Sequence, residues 1–344
     1  MDIEKKDLEF KLLNKDTFKE QCYVYTKAFG HENNDIENYW QKKHYNNPLG
    51  GSFIFGAYYK NKLVGINCFQ PCVYESYSDI FNALQSCESG VLPEFQGKGI
   101  WGKLMRFAEE YIRTNTDCDV LIGFPNYRNS YPGFRKMTWE TVFVLNNYLL
   151  VNNSQTFLQT IIPNKKGLQP IFSCVLNFQK GFVKCYKTKK LQVEPISNDM
   201  LIWNRNDKEL TIKLSDECLG WKLDYKHLSC LGVKDKNNNL LATCIYGISK
   251  YKGQKIIYIN RLEFSHNNNN LSEKVVLASL SDYLLKTYPD TAFVRVWVKP
   301  NDKYNKLFKN LLFLKTKHPN PFIIKKVSDK KMDYDWNVSF LDLD

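Results

Sequence analysis

The residues of this 344-residue sequence with the clearest chemical potential are three glycines, Gly97, Gly99 and Gly102. A strand-like run, Ala83 to Val91, precedes them, and an amphipathic helix-like run, Trp101 to Thr114, follows. A glycine turn at a helix N-terminus directs several backbone N–H groups outward at the positive end of the helix dipole. The natural guest of such a turn is an anion, above all a pyrophosphate.

Size and composition limit what this loop can belong to. The length suits two domains, which we expect at residues 1–150 and 151–344. A hydrophobic content of 43% is that of a folded globular protein rather than a disordered chain. The net charge of +12 favours polyanionic ligands. Because the basic residues form no long run, we expect a basic surface and no nucleic-acid partner.

Cysteine and histidine usage gives no sign of a metal site. The ten cysteines include no CxxC pair, and the five histidines show no ligand spacing with them. The first residues lack the apolar core of a signal peptide, and no apolar stretch is long enough to cross a membrane. We therefore predict free thiols, no metal and no membrane insertion, which indicates a cytoplasmic protein.

The pattern along the chain predicts an α/β (α+β) protein in which one order of elements occurs twice. In the first half, strands are expected at 8–13, 52–59, 63–74, 83–91, 120–124 and 141–151. In the second half, Trp221 to Tyr225 repeats the pattern of Trp40 to Tyr45, and a strand at 256–264 takes the place of 83–91. The second copy has no glycine loop, because Ser265 to Asn270 contains no glycine.

Two motifs resemble the acyl-CoA-binding region of the GCN5-related N-acetyltransferase (GNAT) superfamily. The first is Gln96-Gly97-Lys98-Gly99-Ile100-Trp101, which is similar to the family pattern Gln/Arg-x-x-Gly-x-Gly/Ala, with tryptophan where a small residue is usual. The second contains Asn126, Asn129 and Phe134-Arg135-Lys136-Met137-Thr138-Trp139, where the family has Tyr-x-x-x-Gly-Phe. The motifs stand in the family's order, and together they are more specific than either alone.

The resemblance implies tandem GNAT-like domains, each a mixed, mostly antiparallel sheet flanked by helices, with a splayed pair of parallel central strands. It implies acyl-CoA as the acyl donor and direct attack by an acceptor amine, helped by proximity and by a backbone N–H that stabilises the oxyanion. The two asparagines of the second motif either bind the donor or cap the following helix. The candidate donor-binding residues are Val91, Gln96, Gly97, Lys98, Gly99, Ile100, Trp101, Gly102, Asn126 and Asn129.

The resemblance also implies which groups move protons. Glu88 stands where related acetyltransferases often carry an acidic residue, so it is the candidate general base, with a salt bridge as the alternative role. Glu75 and Asp79 are second choices. The tyrosine that often protonates the leaving thiolate is replaced by Phe134 in this chain. Tyr131, about one helical turn earlier, is therefore the candidate acid, with packing as the alternative role.

The second half is expected to shape the acceptor site, at the cleft between the halves. Aromatic and basic residues that suit this site, or alternatively the core, are Trp203, Trp221, Tyr225, Tyr246, Tyr258, Arg261 and Trp297. The chain resembles two-domain bacterial sugar N-acyltransferases, which implies a nucleotide-linked (dTDP) amino-dideoxy sugar as acceptor, used for cell-surface polysaccharide such as O-antigen.

Two other functions stay open at this point. The first is an aminoacyl-tRNA-dependent peptidoglycan ligase of tandem-GNAT type, and the intact glycine loop argues for a CoA donor instead. The second is a non-catalytic GNAT-like binding protein, which the retention of Glu88, Asn126 and Asn129 beside the loop argues against.

Overall fold

The structure, a computed structural model, describes residues 7–30, 35–161, 169–186, 190–204, 206–266 and 272–343. The predicted loop over Asn267 to Asn270 lies outside these residues. The strands are β1 (Leu8–Leu13), β2 (Phe53–Tyr59), β3 (Lys62–Glu75), β4 (Ile80–Val91), β5 (Val120–Gly123), β6 (Glu140–Val151), β7 (Gln192–Pro195), β8 (Glu209–Ile212), β9 (Leu228–Lys234), β10 (Leu240–Tyr251), β11 (Gln254–Phe264), β12 (Phe293–Val298), β13 (Leu314–Lys326) and β14 (Asp335–Asn337). The helices are α1 (Phe18–Phe29), α2 (Ile36–Trp40), α3 (Ile100–Asn115), α4 (Tyr131–Lys136), α5 (Ser154–Ile161), α6 (Gln169–Tyr186), α7 (Asp216–Tyr225), α8 (Glu273–Thr287) and α9 (Tyr304–Asn310).

The strands form one mixed sheet that runs through both halves of the chain. Its order is β1-β2-β3-β4-β5-β13-β6-β12-β11-β10-β9-β7, with β8 and β14 attached beside β3. The succession β2-β3-β4-α3-β5-α4-β6 recurs as β9-β10-β11-α8-β12-α9-β13. In each succession the first three strands are antiparallel to their neighbours, and the third strand pairs in parallel with the fourth. The predicted fold class, an open and mostly antiparallel mixed sheet flanked by helices, is confirmed.

The two halves exchange their last strands. β13 pairs with β5, β6 pairs with β12, and the two exchanged strands pair with each other. Tyr148 to Val151 of β6 is almost fully buried, as expected for a strand in the interior of a sheet. The domain division after residue 150 falls at the end of β6 and stays a prediction.

Both parallel strand pairs separate before their strands end. β4 pairs with β5 only over Ala83 to Ser86, so residues 87–91 of β4 have no strand on that side within the described chain. β11 likewise pairs with β12 only over Ile257 to Ile259. The splayed central strands implied by the resemblance are therefore present in each half.

Helices cover both faces of the first-half sheet. On one face, a Cβ at Gly90 of β4 would lie 2.7 Å from the Cβ of Ala28 in α1. On the other face, α3 buries Leu104, Ala108 and Ile112, which recur every four residues as an amphipathic helix requires. Among the described helices, none combines the length and the apolar composition needed to cross a bilayer.

Candidate active site

The glycine loop connects β4 to α3 and exposes its backbone. The Gln96 side chain closes the loop by donating from Nε2 to the Val91 carbonyl at 3.0 Å. Gly97 and Gly99 have φ values of 75° and 71°, in the left-handed region that favours glycine. A Cβ at either position would have no heavy atom within 4 Å, so the surface above the loop is open.

The N–H groups of this loop are available to a ligand. Among the described residues, no acceptor takes the N–H groups from Gly97 to Gly102, and the first bond into the helix runs from Lys103 N–H to the Gly99 carbonyl at 3.4 Å. These donors surround the positive end of α3, a helix of 16 residues. The arrangement suits phosphate oxygens.

Trp101 is accommodated by a glycine on the neighbouring helix. Its ring packs edge-on against Phe134 of α4, with ring centres 5.2 Å apart. A Cβ at Gly133 would lie only 2.4 Å from the Trp101 ring. The large side chain therefore fills the space between α3 and α4 and leaves the N–H groups of the loop uncovered.

Glu88 lies in a β-bulge on the unpaired part of β4. Cys87 lies opposite Cys68 and Gly90 opposite Ile66, so two residues of β4 face one residue of β3. Glu88 has a φ of 36°, a strained value for a residue with a side chain. Backbone strain of this kind is concentrated at functional sites.

The Glu88 side chain is held by α2 and the turn that follows it. Tyr39 OH donates to Glu88 Oε1 at 3.2 Å, and Lys43 Nζ forms an ion pair with the same oxygen. His44 Nε2 lies 3.5 Å from Oε2. The Lys43 and Glu88 side chains are only 1% and 8% exposed, so this pair is a buried one. The salt-bridge role considered for Glu88 is thus realised, and its role as base stays a prediction.

A π-helical turn directs these groups toward β4. Over Gln41–Tyr45 the chain widens, and the Asn46 N–H reaches the Gln41 carbonyl, five residues back, at 3.1 Å. This winding buries both Lys43 and His44. Sequence reasoning gave Tyr39 and Lys43 no role in the site. Their spacing of four residues was the available signal.

The three other candidate residues lie around the start of α4. Asn126 Oδ1 accepts from the N–H groups of Arg128 and Asn129 at 3.0 and 3.3 Å, in the turn before α4. The helix itself begins after Ser130 without a side-chain cap, so the capping role considered for the asparagines is not realised. Both asparagines are exposed. Tyr131 OH forms a hydrogen bond with Thr141 Oγ1 at 2.8 Å, on β6, which β13 separates from β5. Donor binding by the asparagines and acid catalysis by Tyr131 stay predictions.

One group of potential metal ligands lies at the same place. Ligand atoms of His44, Cys68 and Glu88 are within 4.8 Å of one another. The Lys43 ammonium already neutralises the only carboxylate of this group. The expectation that the protein uses no metal stays a prediction.

A cleft of about 1170 Å³ lies between the two halves. Tyr39, which contacts Glu88, forms part of its first-half wall, together with Phe124 to Arg128. The lining contains six Lys and Arg side chains and one carboxylate, Asp35. The basic residues are Lys42, Arg128, Lys226, Lys252, Arg295 and Lys317.

Three of the residues expected at the acceptor site, Tyr225, Tyr258 and Trp297, line this cleft. The others lie elsewhere. Trp203 and Arg261 line a separate cavity of about 450 Å³ that also contains Glu75 and Asp79. The Trp221 indole N–H donates to the Lys42 carbonyl at 2.8 Å, which joins α7 to the turn after α2. Tyr246 OH bonds with Tyr288 OH at 2.7 Å within the second-half core.

Residues 9–142 match the family profile described as "Acetyltransferase (GNAT) domain". No curated protein matches the sequence. A probable N-acyltransferase from Enterococcus faecalis V583 superposes with a TM-score of 0.61, covering 93% of this chain and 72% of its own at 12% identity.

Two further solved structures share the fold. A GCN5-related N-acetyltransferase from Anabaena variabilis superposes with a TM-score of 0.59, at 13% identity over 93% of this chain and 73% of that one. Saccharomyces cerevisiae N-myristoyltransferase with bound myristoyl-CoA gives a TM-score of 0.58, at 12% identity over 94% of this chain and 83% of that one. Together with the loop and the splayed strands, these likenesses show that the chain has the GNAT acyltransferase fold, and the match to the GNAT domain profile lies within its first half, at residues 9–142.

Proposed function

We propose that this protein is an acyl-CoA-dependent N-acyltransferase whose first half binds the donor and whose central cleft binds the amine acceptor. The observation that carries the proposal is the run of unpaired N–H groups from Gly97 to Gly102, beside the open edge of β4. A tRNA donor would have no use for this turn, whereas the pyrophosphate of CoA fits it. Yeast N-myristoyltransferase, which shares the fold, was solved with myristoyl-CoA bound.

The donor is proposed to lie along the unpaired edge of β4. Its phosphates contact the N–H groups of the loop, and its pantetheine arm passes Val91 toward Glu88. The acceptor amine attacks the thioester carbonyl, a C–N bond forms, and the C–S bond breaks to release the CoA thiolate. Orientation of the two substrates supplies much of the acceleration.

Glu88 is proposed as the final proton acceptor, and Tyr39 as the group that connects it to the cleft. Tyr39 lines the cleft and donates to Glu88 Oε1, whereas Glu88 itself does not line the cleft. A proton from the acceptor amine passes to the Tyr39 oxygen while the Tyr39 proton moves to Glu88. Lys43 Nζ contacts the same oxygen of Glu88 and also donates to the Tyr39 hydroxyl at 3.0 Å, so it holds both groups of this path in place. The thiolate takes a proton from Tyr131 or from water.

The acceptor is proposed to be a nucleotide-linked amino sugar, such as a dTDP-amino-dideoxy sugar used for O-antigen. The basic and aromatic lining of the cleft supports a substrate that carries phosphates and a planar base. We place the reaction in the cytoplasm, where the free thiols of this chain stay reduced.

The test is acylation measured by mass spectrometry of the acceptor, with acetyl-CoA, longer acyl-CoAs and a panel of dTDP-amino sugars. Glu88→Gln is expected to lower kcat by roughly 10²-fold or more, as removal of a general base does. Tyr39→Phe is expected to lower kcat and to shift the pH profile. Tyr23→Phe, at a tyrosine that is 49% exposed on α1, serves as the matched control and is expected to leave the rate unchanged. Absence of acyl-CoA-dependent acylation of any acceptor, or transfer only from aminoacyl-tRNA, would contradict the proposal.

A further inference from the structure

We propose that Arg295 is the phosphate-binding residue of the cleft, and that the acceptor is dipolar, with its amine at the first-half wall and its phosphates at the second-half wall. This inference rests on the proposed N-acyltransferase function and assigns the two ends of the acceptor to named residues.

Arg295 is oriented by the strand that the first half exchanges into the second. It lies on β12, and its Nε donates to Asn147 Oδ1 on β6 at 2.8 Å. Asn147 is 2% exposed, and its Nδ2 donates to Thr316 Oγ1 of β13 at 2.7 Å, which fixes the amide oxygen toward the arginine. Because the Nε of Arg295 is already bonded to Asn147, the two terminal nitrogens of the guanidinium remain for a ligand.

No carboxylate in the described chain forms an ion pair with Arg295. Arg261, which lines the separate cavity of about 450 Å³, is buried and paired with Glu263 at 2.8 Å, as a structural arginine usually is. Arg295 lines the open cleft instead. An arginine fork without a protein carboxylate, facing a cleft, is suited to bidentate binding of a phosphate.

Aromatic rings enclose the Arg295 side chain. The guanidinium carbon lies 5.6 Å from the centre of the Phe340 ring and 5.8 to 6.0 Å from the ring centres of Tyr258, Trp297 and Tyr251. These rings hold the cation by cation–π attraction and exclude water, which strengthens a charge-assisted hydrogen bond to a phosphate. The buried Trp297 Nε1 has no acceptor within the described residues, so a second donor lies in the same region.

Most of the cations of the cleft lie on its second-half wall. The second-half wall contributes Lys226, Lys252, Arg295 and Lys317 and no carboxylate. The first-half wall contains Asp35, Arg128 and Lys42, of which Lys42 is paired with Asp224 at 2.7 Å. It also contains Tyr39, which leads to Glu88. A negative group is therefore favoured at the second-half wall. The amine end is assigned to the first-half wall because Tyr39 connects that wall to Glu88. The acceptor amine then lies next to the proposed proton path.

The test is calorimetric titration of protein saturated with CoA, so that the donor site cannot take the probe. The probes are dTDP, thymidine and glucuronic acid. Wild-type protein is expected to bind dTDP at least 10-fold more tightly than thymidine, with an affinity that falls as salt is added. Arg295→Gln is expected to weaken dTDP about 100-fold and Arg295→Lys about 10-fold, because lysine keeps the charge but loses the fork. Thymidine binding is expected to stay the same in both variants, which shows that the cleft is still folded.

Arg113→Gln, at an exposed arginine of α3 paired with Glu110, is the matched control and is expected to bind dTDP as the wild type does. Equal affinity of wild type and Arg295→Gln for dTDP would overturn the proposal. Tighter binding of glucuronic acid than of dTDP would show a carboxylate site and would also overturn it. Binding of CoA without binding of dTDP would refute this inference alone, whereas failure of CoA binding would refute the proposed function.

Discussion

The ion pair between Lys43 and Glu88 allows the structural and catalytic roles of Glu88 to be separated. Both side chains are almost fully buried, and the pair joins the turn after α2 to the bulge of β4. The perturbation is a double-mutant cycle with Glu88→Gln, Lys43→Met and the variant that carries both substitutions.

The burial of the pair sets the expected magnitude. Removing one partner of a buried ion pair leaves an uncompensated charge and costs about 3–5 kcal/mol of unfolding free energy. Removing both charges leaves neutral groups of similar volume, which usually costs much less, here about 2 kcal/mol or below. The two single changes are therefore expected to be strongly non-additive.

Urea denaturation measures the unfolding free energy of each variant. The exposed pair Glu110–Arg113 on α3 supplies a matched control cycle with Glu110→Gln and Arg113→Met, in which stability is expected to stay nearly constant. Acylation by the double variant is the decisive second readout. If Glu88 is the base, stability returns in the double variant but activity does not. Additive losses of stability would refute the assignment of a buried ion pair, and recovery of activity would refute Glu88 as base.

Gly133→Ala is expected to destabilise the chain by about 1–3 kcal/mol, because its Cβ would collide with the Trp101 ring, and adding Trp101→Ala should relieve the collision. The control is Gly181→Ala, at a glycine of α6 where a Cβ meets no atom within 4 Å. An equal loss of stability in Gly133→Ala and Gly181→Ala would contradict the packing of Trp101 against Gly133. Thr138, at φ 63°, stands where GNAT proteins have glycine, so Thr138→Gly should raise the unfolding free energy by about 0.5–1 kcal/mol. Thr114→Gly, within α3, should instead lower it, and a loss of stability at position 138 would count against the left-handed conformation. Burial raises the pKa of Cys22 and of Cys118 to about 12, so these thiols should not react with Ellman's reagent at pH 8. In the native chain only the two exposed thiols, Cys174 and Cys185, are expected to react, and all ten are expected to react after unfolding. Fast reaction of more than two thiols in the native chain would show that the reagent reaches the buried cysteines.

Much of the fold was predictable because it depends on local patterns. The strand predicted at 8–13 is β1, and the one predicted at 141–151 differs from β6 by a single residue. The glycine loop was predictable as well, because left-handed φ values and an open helix end require glycine at particular positions.

The exchange of β6 and β13 was not predictable, because an apolar strand pattern specifies burial but not which strand lies alongside. That exchange determines where Tyr131 lies, since its partner Thr141 is on β6. It also brings Asn147 next to Arg295.

The surroundings of Glu88 were only partly predictable. A lysine is rarely buried, so composition gave no reason to place Lys43 beside Glu88. The bulge and the positive φ of Glu88 arise from the pairing of β3 with β4, which no short motif encodes. Sequence reasoning identified the carboxylate but missed the ion pair and the tyrosine that separates it from the cleft.

The central claim is that the glycine loop binds the phosphates of an acyl-CoA, and calorimetric titration with acetyl-CoA tests it most directly. Wild-type protein is expected to bind, and Gly99→Ala is expected to weaken binding at least 10-fold, because it strains the turn that presents the N–H groups. Gly253→Ala imposes the same strain at φ 79° in the turn between β10 and β11 and is expected to bind acetyl-CoA normally. Absence of binding by the wild type, or equal weakening in both variants, would contradict the claim.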